Sequence, residues 1–255
     1  MRTTAVINEK GGVGKTTTVA TLGHALARIG ERVLIVDLDP QANLTAWIGG
    51  EHPPRATVAN ALADRAAMPD AIGDSTAGTV TLAYGARAVA DAADDLRASS
   101  PAPALALRRA LRGLNYDRIL IDCPPGLGVL SVNALCAADE LLIPVNSQAM
   151  ALAGVIQLEA TLGELHDAEV IQSLPTRRLL LTMYDGRRGL AREVREYLTT
   201  RDAEATVYNS TIRSSARIAE CYGHQRTIYD YAPREGVAED YSRLGEEVRD
   251  GVPAR

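Results

Sequence analysis

The stretch TTAVINEKGGVGKTT, residues 3–17, joins three kinds of segment. Thr3–Asn8 is short, β-branched and apolar, the composition of a buried strand. Gly11, Gly12, Val13 and Gly14 form a glycine-rich turn, and a helix is expected from about Thr16 to Ile29, where Gly30 stops it. In that context backbone N–H groups turn toward an anion, and the helix N-terminus adds its positive dipole end. Lys15 would lie against the β- and γ-phosphates of a nucleotide, Thr16 would offer its hydroxyl to Mg²⁺, and Thr17 would help hold the α-phosphate. The common form of this motif has a glycine five residues before Gly14. Here Glu9 stands there, and an extra lysine, Lys10, follows it.

Lysine usage sharpens the reading. The chain has 25 Arg and two Lys, and both lysines lie in this motif. Arginine replaces lysine readily on a surface, but not where a compact ammonium must enter a tight phosphate pocket; two lysines scattered over the basic positions would both fall here about once in several hundred trials.

Outward from the motif, Arg32–Asp37 reads as a second buried strand, and further strand patterns recur at Val80–Ala83, Arg118–Asp122, Glu140–Val145 and Leu179–Met183, with helical patterns between them. Gly49–Pro54 and Ala86–Pro103 read as loop and helices. Apolar strands alternating with helices imply an α/β fold: a single-domain P-loop NTPase over residues 1–255, with a mostly parallel twisted sheet covered by helices on both faces. An N-terminal helix-turn-helix domain is not expected. Neither is a signal peptide or a membrane span, since no apolar run approaches about 20 residues. Cys123, Cys136 and Cys221 are too widely spaced for a disulfide framework or zinc site, which fits a reducing cytoplasm. With 46% hydrophobic residues and no Phe, the core must be aliphatic. The histidines show no ligand spacing; Cys123 reads as a small core residue, and Tyr229, Tyr231 and Tyr241 as packing residues of a C-terminal helical region.

Several further motifs accompany EKGGVGKTT: VDLDPQAN (36–43), LIDCPPGLG (120–128), ALAGVIQL (151–158), LTMYDGR (181–187) and AEDYSRLGEEV (238–248). Together they resemble the ParA/MinD family of deviant Walker ATPases, specifically its ParA (Soj-like) DNA-partition branch, over nearly the whole length. The resemblance implies ATP and Mg²⁺ as cofactors, with Lys10, Gly11, Gly12, Val13, Gly14, Lys15, Thr16 and Thr17 around the nucleotide. It implies that Asp39 positions the attacking water, that Asp37 lies near the metal with Thr16, and that Asp122 is the Walker B carboxylate; all three follow or end strands, where open α/β sheets place ligands. Lys10 would reach across an ATP-dependent homodimer to the γ-phosphate held by the other subunit. Non-specific DNA and a ParB-like activator are the implied partners, with no membrane, in a cytoplasmic, nucleoid-associated protein. The sequence departs from the family pattern at Arg213, where a proline is usual, and at Val237, where a glycine is usual. Met183 is the candidate for contact with the base.

The charge is −5 overall, yet residues 177–226 hold ten Arg against six acids. A helix beginning near Arg187 would place Leu190, Val194, Tyr197 and Leu198 on one face, and Arg188, Arg192 and Arg195 on the other. Arg213 and Arg217, four apart, would form a second pair if that stretch is helical. These five arginines are the candidate DNA surface, for an ATPase that binds DNA as the ATP dimer and is released by partner-stimulated hydrolysis during plasmid or chromosome segregation. The same cycle could instead position a protein cargo such as a carboxysome or chemoreceptor cluster. A MinD-like membrane role would need a basic amphipathic C-terminal helix, whereas residues 235–255 carry six acids and three Arg. An iron-protein-like role would need two well-placed cysteines, and none are evident.

Overall fold

The structure is a computed structural model that describes residues 1–100, 102–146, 151–171, 173–201 and 205–251. In chain order its elements are β1 (Arg2–Val6), α1 (Lys15–Arg28), β2 (Val33–Asp37), α2 (Asn43–Ile48), α3 (Val58–Ala63), β3 (Ile72–Asp74), β4 (Thr81–Ala83), α4 (Ala88–Ser99), α5 (Ala106–Leu111), β5 (Arg118–Asp122), α6 (Val129–Ala137), β6 (Glu140–Asn146), α7 (Ala151–Asp167), β7 (Thr176–Tyr184), α8 (Gly189–Arg201), β8 (Ala205–Arg213), α9 (Ala216–Gly223), α10 (Ile228–Tyr231) and α11 (Gly236–Asp250). Among the described residues the strands form one eight-stranded sheet in the order β3-β4-β2-β5-β1-β6-β7-β8, parallel except for β3 against β4. The mostly parallel α/β P-loop architecture expected from the sequence is the one observed.

Successive strand residues feed opposite faces. Ala5, Leu34, Val36, Ile119, Ile121, Leu141 and Ile143 pack under α3 to α8. Val6, Ile35, Leu120, Leu142 and Leu180 pack under α1, α2 and α9 to α11. Both sides are apolar, so these strands read as continuous aliphatic runs. Tyr229 and Tyr241 are buried in the second layer and Tyr231 packs against it, as their reading as packing residues required. Cys123 is likewise a buried core residue.

Two strands escaped the sequence reading. β3 has only three residues. In β8 the run Asn209-Ser210-Thr211 is polar, and the β7–β8 register shifts beside it, which breaks the two-residue periodicity. α11 covers this edge: the Glu247 carboxylate accepts the Asn209 N–H at 2.7 Å and the Ser210 N–H at 2.9 Å. The parts of the quoted motifs at Ala151–Ala153, and residues 252–255 of the C-terminal stretch, lie outside what is described of side chains or backbone.

Candidate functional site

The C-terminal ends of β1, β2 and β5 converge on the start of α1. Gly12 and Gly14 take positive φ, +73° and +90°, a region other residues enter only at a cost. These turns bend the loop so that α1 begins with no side-chain cap and no acidic residue in its first turn. Its first N–H groups are therefore left for an anion. Lys15 is buried, and its Nζ donates to the carbonyls of Asn8 (3.0 Å) and Lys10 (3.1 Å). Burial lowers the Lys15 pKa, and the nearby charges of Asp122, Cys123 and Asp39 oppose that. The Thr182 hydroxyl donates to the Val13 carbonyl at 2.9 Å and ties the loop to β7.

Sequence reasoning missed Asn8. Its carboxamide Nδ2 donates to the Pro144 carbonyl at 2.8 Å, and its Oδ1 accepts the Lys10 N–H at 2.9 Å. The signal was an amide residue ending a buried strand directly before the turn, where an apolar residue would need no partner.

Asp37 and Asp122 are register partners across β2 and β5. Both are buried, but their environments differ sharply. One Asp37 oxygen accepts the Thr45 N–H (2.8 Å) and hydroxyl (2.6 Å), and the other accepts the Asp39 N–H at 3.3 Å. A Cβ on Gly85 would sit 2.6 Å from the Asp37 carboxyl carbon, so only glycine lets that loop close over it. Burial raises the Asp37 pKa to about 6 despite these bonds. Neither oxygen of Asp122 receives a well-formed hydrogen bond. Its pKa is pushed well above the ordinary value by burial first and then by the charge of Asp37, with the Thr16 hydroxyl and Lys15 pulling weakly back.

A buried carboxylate without donors is costly unless a cation satisfies it. Asp122 beside Thr16 fits Mg²⁺, which takes oxygen ligands and is commonly held by one or two protein groups plus phosphate and water. Among the described residues no cluster of three or more His, Cys, Asp or Glu could hold a metal by itself. Asp37, expected near the metal, is the cross-strand neighbour of Asp122, and both its oxygens accept hydrogen bonds, from Thr45 and Asp39. Asp39 follows in that loop, partly exposed, with Oδ1 accepting the Gln41 N–H at 2.9 Å.

The carboxylate pair has a measurable consequence. Folded Asp37 binds its proton more tightly than unfolded Asp37, so stability falls as pH rises from about 3.8 to about 6. Without Mg²⁺, wild type should lose about 2 kcal/mol relative to Asp37→Asn between pH 4 and pH 7. Urea unfolding at both pH values checks this, and parallel pH profiles for the two proteins would remove Asp37 as the titrating group.

Beside the loop lies a cavity of about 450 Å³ running from Gly14, Thr16 and Thr17 toward Trp47, Met183 and Tyr222. Met183 stands on its wall, half-exposed at φ +50°, where the sequence placed a base contact. Trp47 and Tyr222 were not foreseen; they meet with ring centres 6.3 Å apart. The Trp47 indole N–H donates to the carbonyls of Cys221 (3.1 Å) and Arg226 (2.9 Å), which fixes α2 against α9.

The arginine expectations divide. Arg188, just before α8, and Arg192, on it, are exposed and Arg195 is partly so, while Ala191, Val194 and Leu198 form the buried side of the helix. Tyr197 is corrected: it is 43% exposed, because Ala191 completes the inner face instead. The side chain of Leu190 lies outside the described residues. Arg213 and Arg217 do not share a helix. Arg213 ends β8 and grips Asp240, which is 6% exposed, through two guanidinium bonds of 2.7 and 2.8 Å and its own N–H at 3.1 Å. Gly236 supplies the space for that guanidinium. A cation that neutralises a buried carboxylate is committed to the fold. Arg217, on α9, pairs with Glu220 at 2.7 Å and remains about half exposed. Exposed pairs of this kind contribute little, so Arg217 can exchange partners.

Comparison with known proteins gives a consistent result. A family described as an AAA domain matches residues 1–174. Two curated relatives are each 39% identical over 251 residues: the chromosome-partitioning ATPase Soj of Thermus thermophilus, covering 97% of this chain and 95% of the relative, and the sporulation initiation inhibitor protein Soj of Bacillus subtilis, covering 96% of each. Among solved structures, cobyrinic acid a,c-diamide synthase from Mycobacterium smegmatis, with bound ATP analogue and magnesium, superposes with a TM-score of 0.78 at 31% identity, covering 98% of this chain and 94% of that one.

Proposed function

Because the chain belongs to the ParA/Soj family of partition ATPases, we propose that it binds MgATP, pairs with a second copy around that nucleotide, holds DNA without sequence preference, and lets go when a ParB-like partner stimulates hydrolysis. The observation that carries the proposal is bare, buried Asp122 beside Thr16 and Lys15, under a loop whose glycines open its N–H groups.

Within that reading, Lys15 leaves the Asn8 and Lys10 carbonyls for the β- and γ-phosphates, and the α1 N-terminus supports the same charge. The Thr16 hydroxyl and the Asp122 carboxylate would hold Mg²⁺, which would supply positive charge to the transferred phosphoryl group. Asp39 orients the attacking water. Lys10 of each copy adds positive charge to the γ-phosphate of the other, so that loss of the γ-phosphate loosens the dimer. The cavity lined by Trp47, Met183 and Tyr222 takes the nucleoside.

DNA is favoured over a membrane surface by where the apolar residues lie. The apolar face of α11, with Val237, Tyr241, Leu244 and Val248, is buried, and among the described residues no helix is long and apolar enough to cross a membrane. The DNA contacts are assigned to Arg188, Arg192, Arg195 and Arg217. Arg213 is withdrawn from that surface because it holds Asp240. With ATP, Arg188→Glu/Arg192→Glu should dimerise normally and bind non-specific duplex with a flatter salt dependence, by about one unit of log–log slope for each phosphate left without its arginine. Wild-type slope in that variant and in Arg217→Glu would place the DNA surface elsewhere. DNA binding equally strong with ADP would remove the ATP-gated dimer altogether.

A further inference from the structure

The motif ALAGVIQL, which starts α7, has no part in the scheme above, yet its glycine touches the phosphate loop. A Cβ on Gly154 would lie 2.8 Å from Asn8 Oδ1 and 3.8 Å from the Glu9 Cβ. Asn8 cannot simply step aside. It is 1% exposed, its Nδ2 is bonded to Pro144 of β6, and its Oδ1 holds the Lys10 N–H. Glu9 is held in turn, its carbonyl accepting the Gly126 N–H at 3.1 Å. Residues 8–10 are thus a strap gripped from β6, α7 and the loop after β5, and the strap ends at Lys10.

The grip on the two lysines differs. Lys15 Nζ rests on the carbonyls of Asn8 and Lys10, and both bonds are given up when the ammonium turns to phosphate. The Asn8 carboxamide keeps its hold on the Lys10 N–H through that change. We infer that Asn8, seated by Gly154, is a positioning residue that aims Lys10 across the dimer, and that it acts on subunit pairing rather than on nucleotide loading. The inference rests on the reading of Lys10 as the lysine acting in trans. A side chain held on a rigid strap reaches a partner's phosphate with less ordering cost than one on a mobile loop.

The test compares wild type with Asn8→Ala, Gly154→Ala, the double variant and Lys10→Ala. Binding of a fluorescent ATP analogue to the monomer and ATP-dependent dimerisation by light scattering are measured for each. Gly154→Ala and Asn8→Ala should load nucleotide within about threefold of wild type and need at least about tenfold more protein to dimerise. The double variant should be no worse than Asn8→Ala alone, because the added methyl acts only through the Asn8 carboxamide. Should Asn8→Ala unfold, Gly154→Ala decides, since it changes no side chain of the loop chemically and acts only by crowding the Asn8 carboxamide. Normal dimerisation by Gly154→Ala, or parallel losses of loading and pairing, overturns the inference. If Lys10→Ala itself pairs like wild type, the reading of Lys10 is what fails, and the two failures are told apart.

Discussion

Lys15→Gln should lose ATP binding by a factor of about 100 to 1,000, the loss that follows from taking one partner of a buried charge pair away. Lys15 is 7% exposed, and its ammonium sits between two carbonyls at the mouth of a loop whose other groups are backbone N–H donors. Gln is close in length but carries no charge to set against the β- and γ-phosphates. No arginine substitutes, since a planar guanidinium does not fit where Nζ meets Asn8 and Lys10. Lys15→Arg should therefore fail nearly as badly, which separates the need for a compact cation from the need for positive charge. The measurement is equilibrium binding of a fluorescent ATP analogue with Mg²⁺. Affinity within threefold of wild type for Lys15→Gln would sink the phosphate-site assignment.

The second large effect is a separation of steps. Lys10→Ala should load ATP and fail to dimerise, because its own loop keeps Lys15, Thr16 and the glycines. Asp39→Ala should load ATP, dimerise and then stall, with turnover down by about 100-fold or more, since water positioning is removed while the phosphates stay held. Sedimentation with ATP and steady-state phosphate release read the two steps independently. Asp39 suits this role by position: it lies just past the end of β2, partly exposed, and close enough to Lys15 to oppose the lowering of its pKa. Dimerisation of Lys10→Ala at wild-type concentrations would remove the trans lysine from the mechanism. Wild-type turnover by Asp39→Ala would move the water elsewhere.

What local sequence could determine, it did. A β-branched strand, a turn in which Gly12 and Gly14 take positive φ, and a helix start are all encoded within residues 3–17. So is Lys15, because only a compact cation survives there in a chain otherwise rich in arginine. The long apolar strands were legible for the same reason: sandwiched between helix layers, they need no polar alternation. The short β3 and the bulged edge strand β8 were not, since neither carries enough regular pattern.

Tertiary structure decided which polar residues are spoken for. Asp37 and Asp122 look alike as carboxylates ending buried strands. Thr45, from the next helix, and Gly85, from a distant loop, fill the space around Asp37, while Asp122 is left bare. Arg213 and Arg217 look like a surface pair, but Asp240 lies 27 residues beyond Arg213, is buried, and holds the Arg213 guanidinium in an ion pair. Asn8 looks like the last residue of a strand, and only the approach of Pro144 and Gly154 shows what its amide holds. In each case residue type sets the possible chemistry. Burial and the nearest partner, supplied by residues far along the chain, set whether the group is free to bind a ligand, because a desolvated polar group must find a partner wherever the fold provides one.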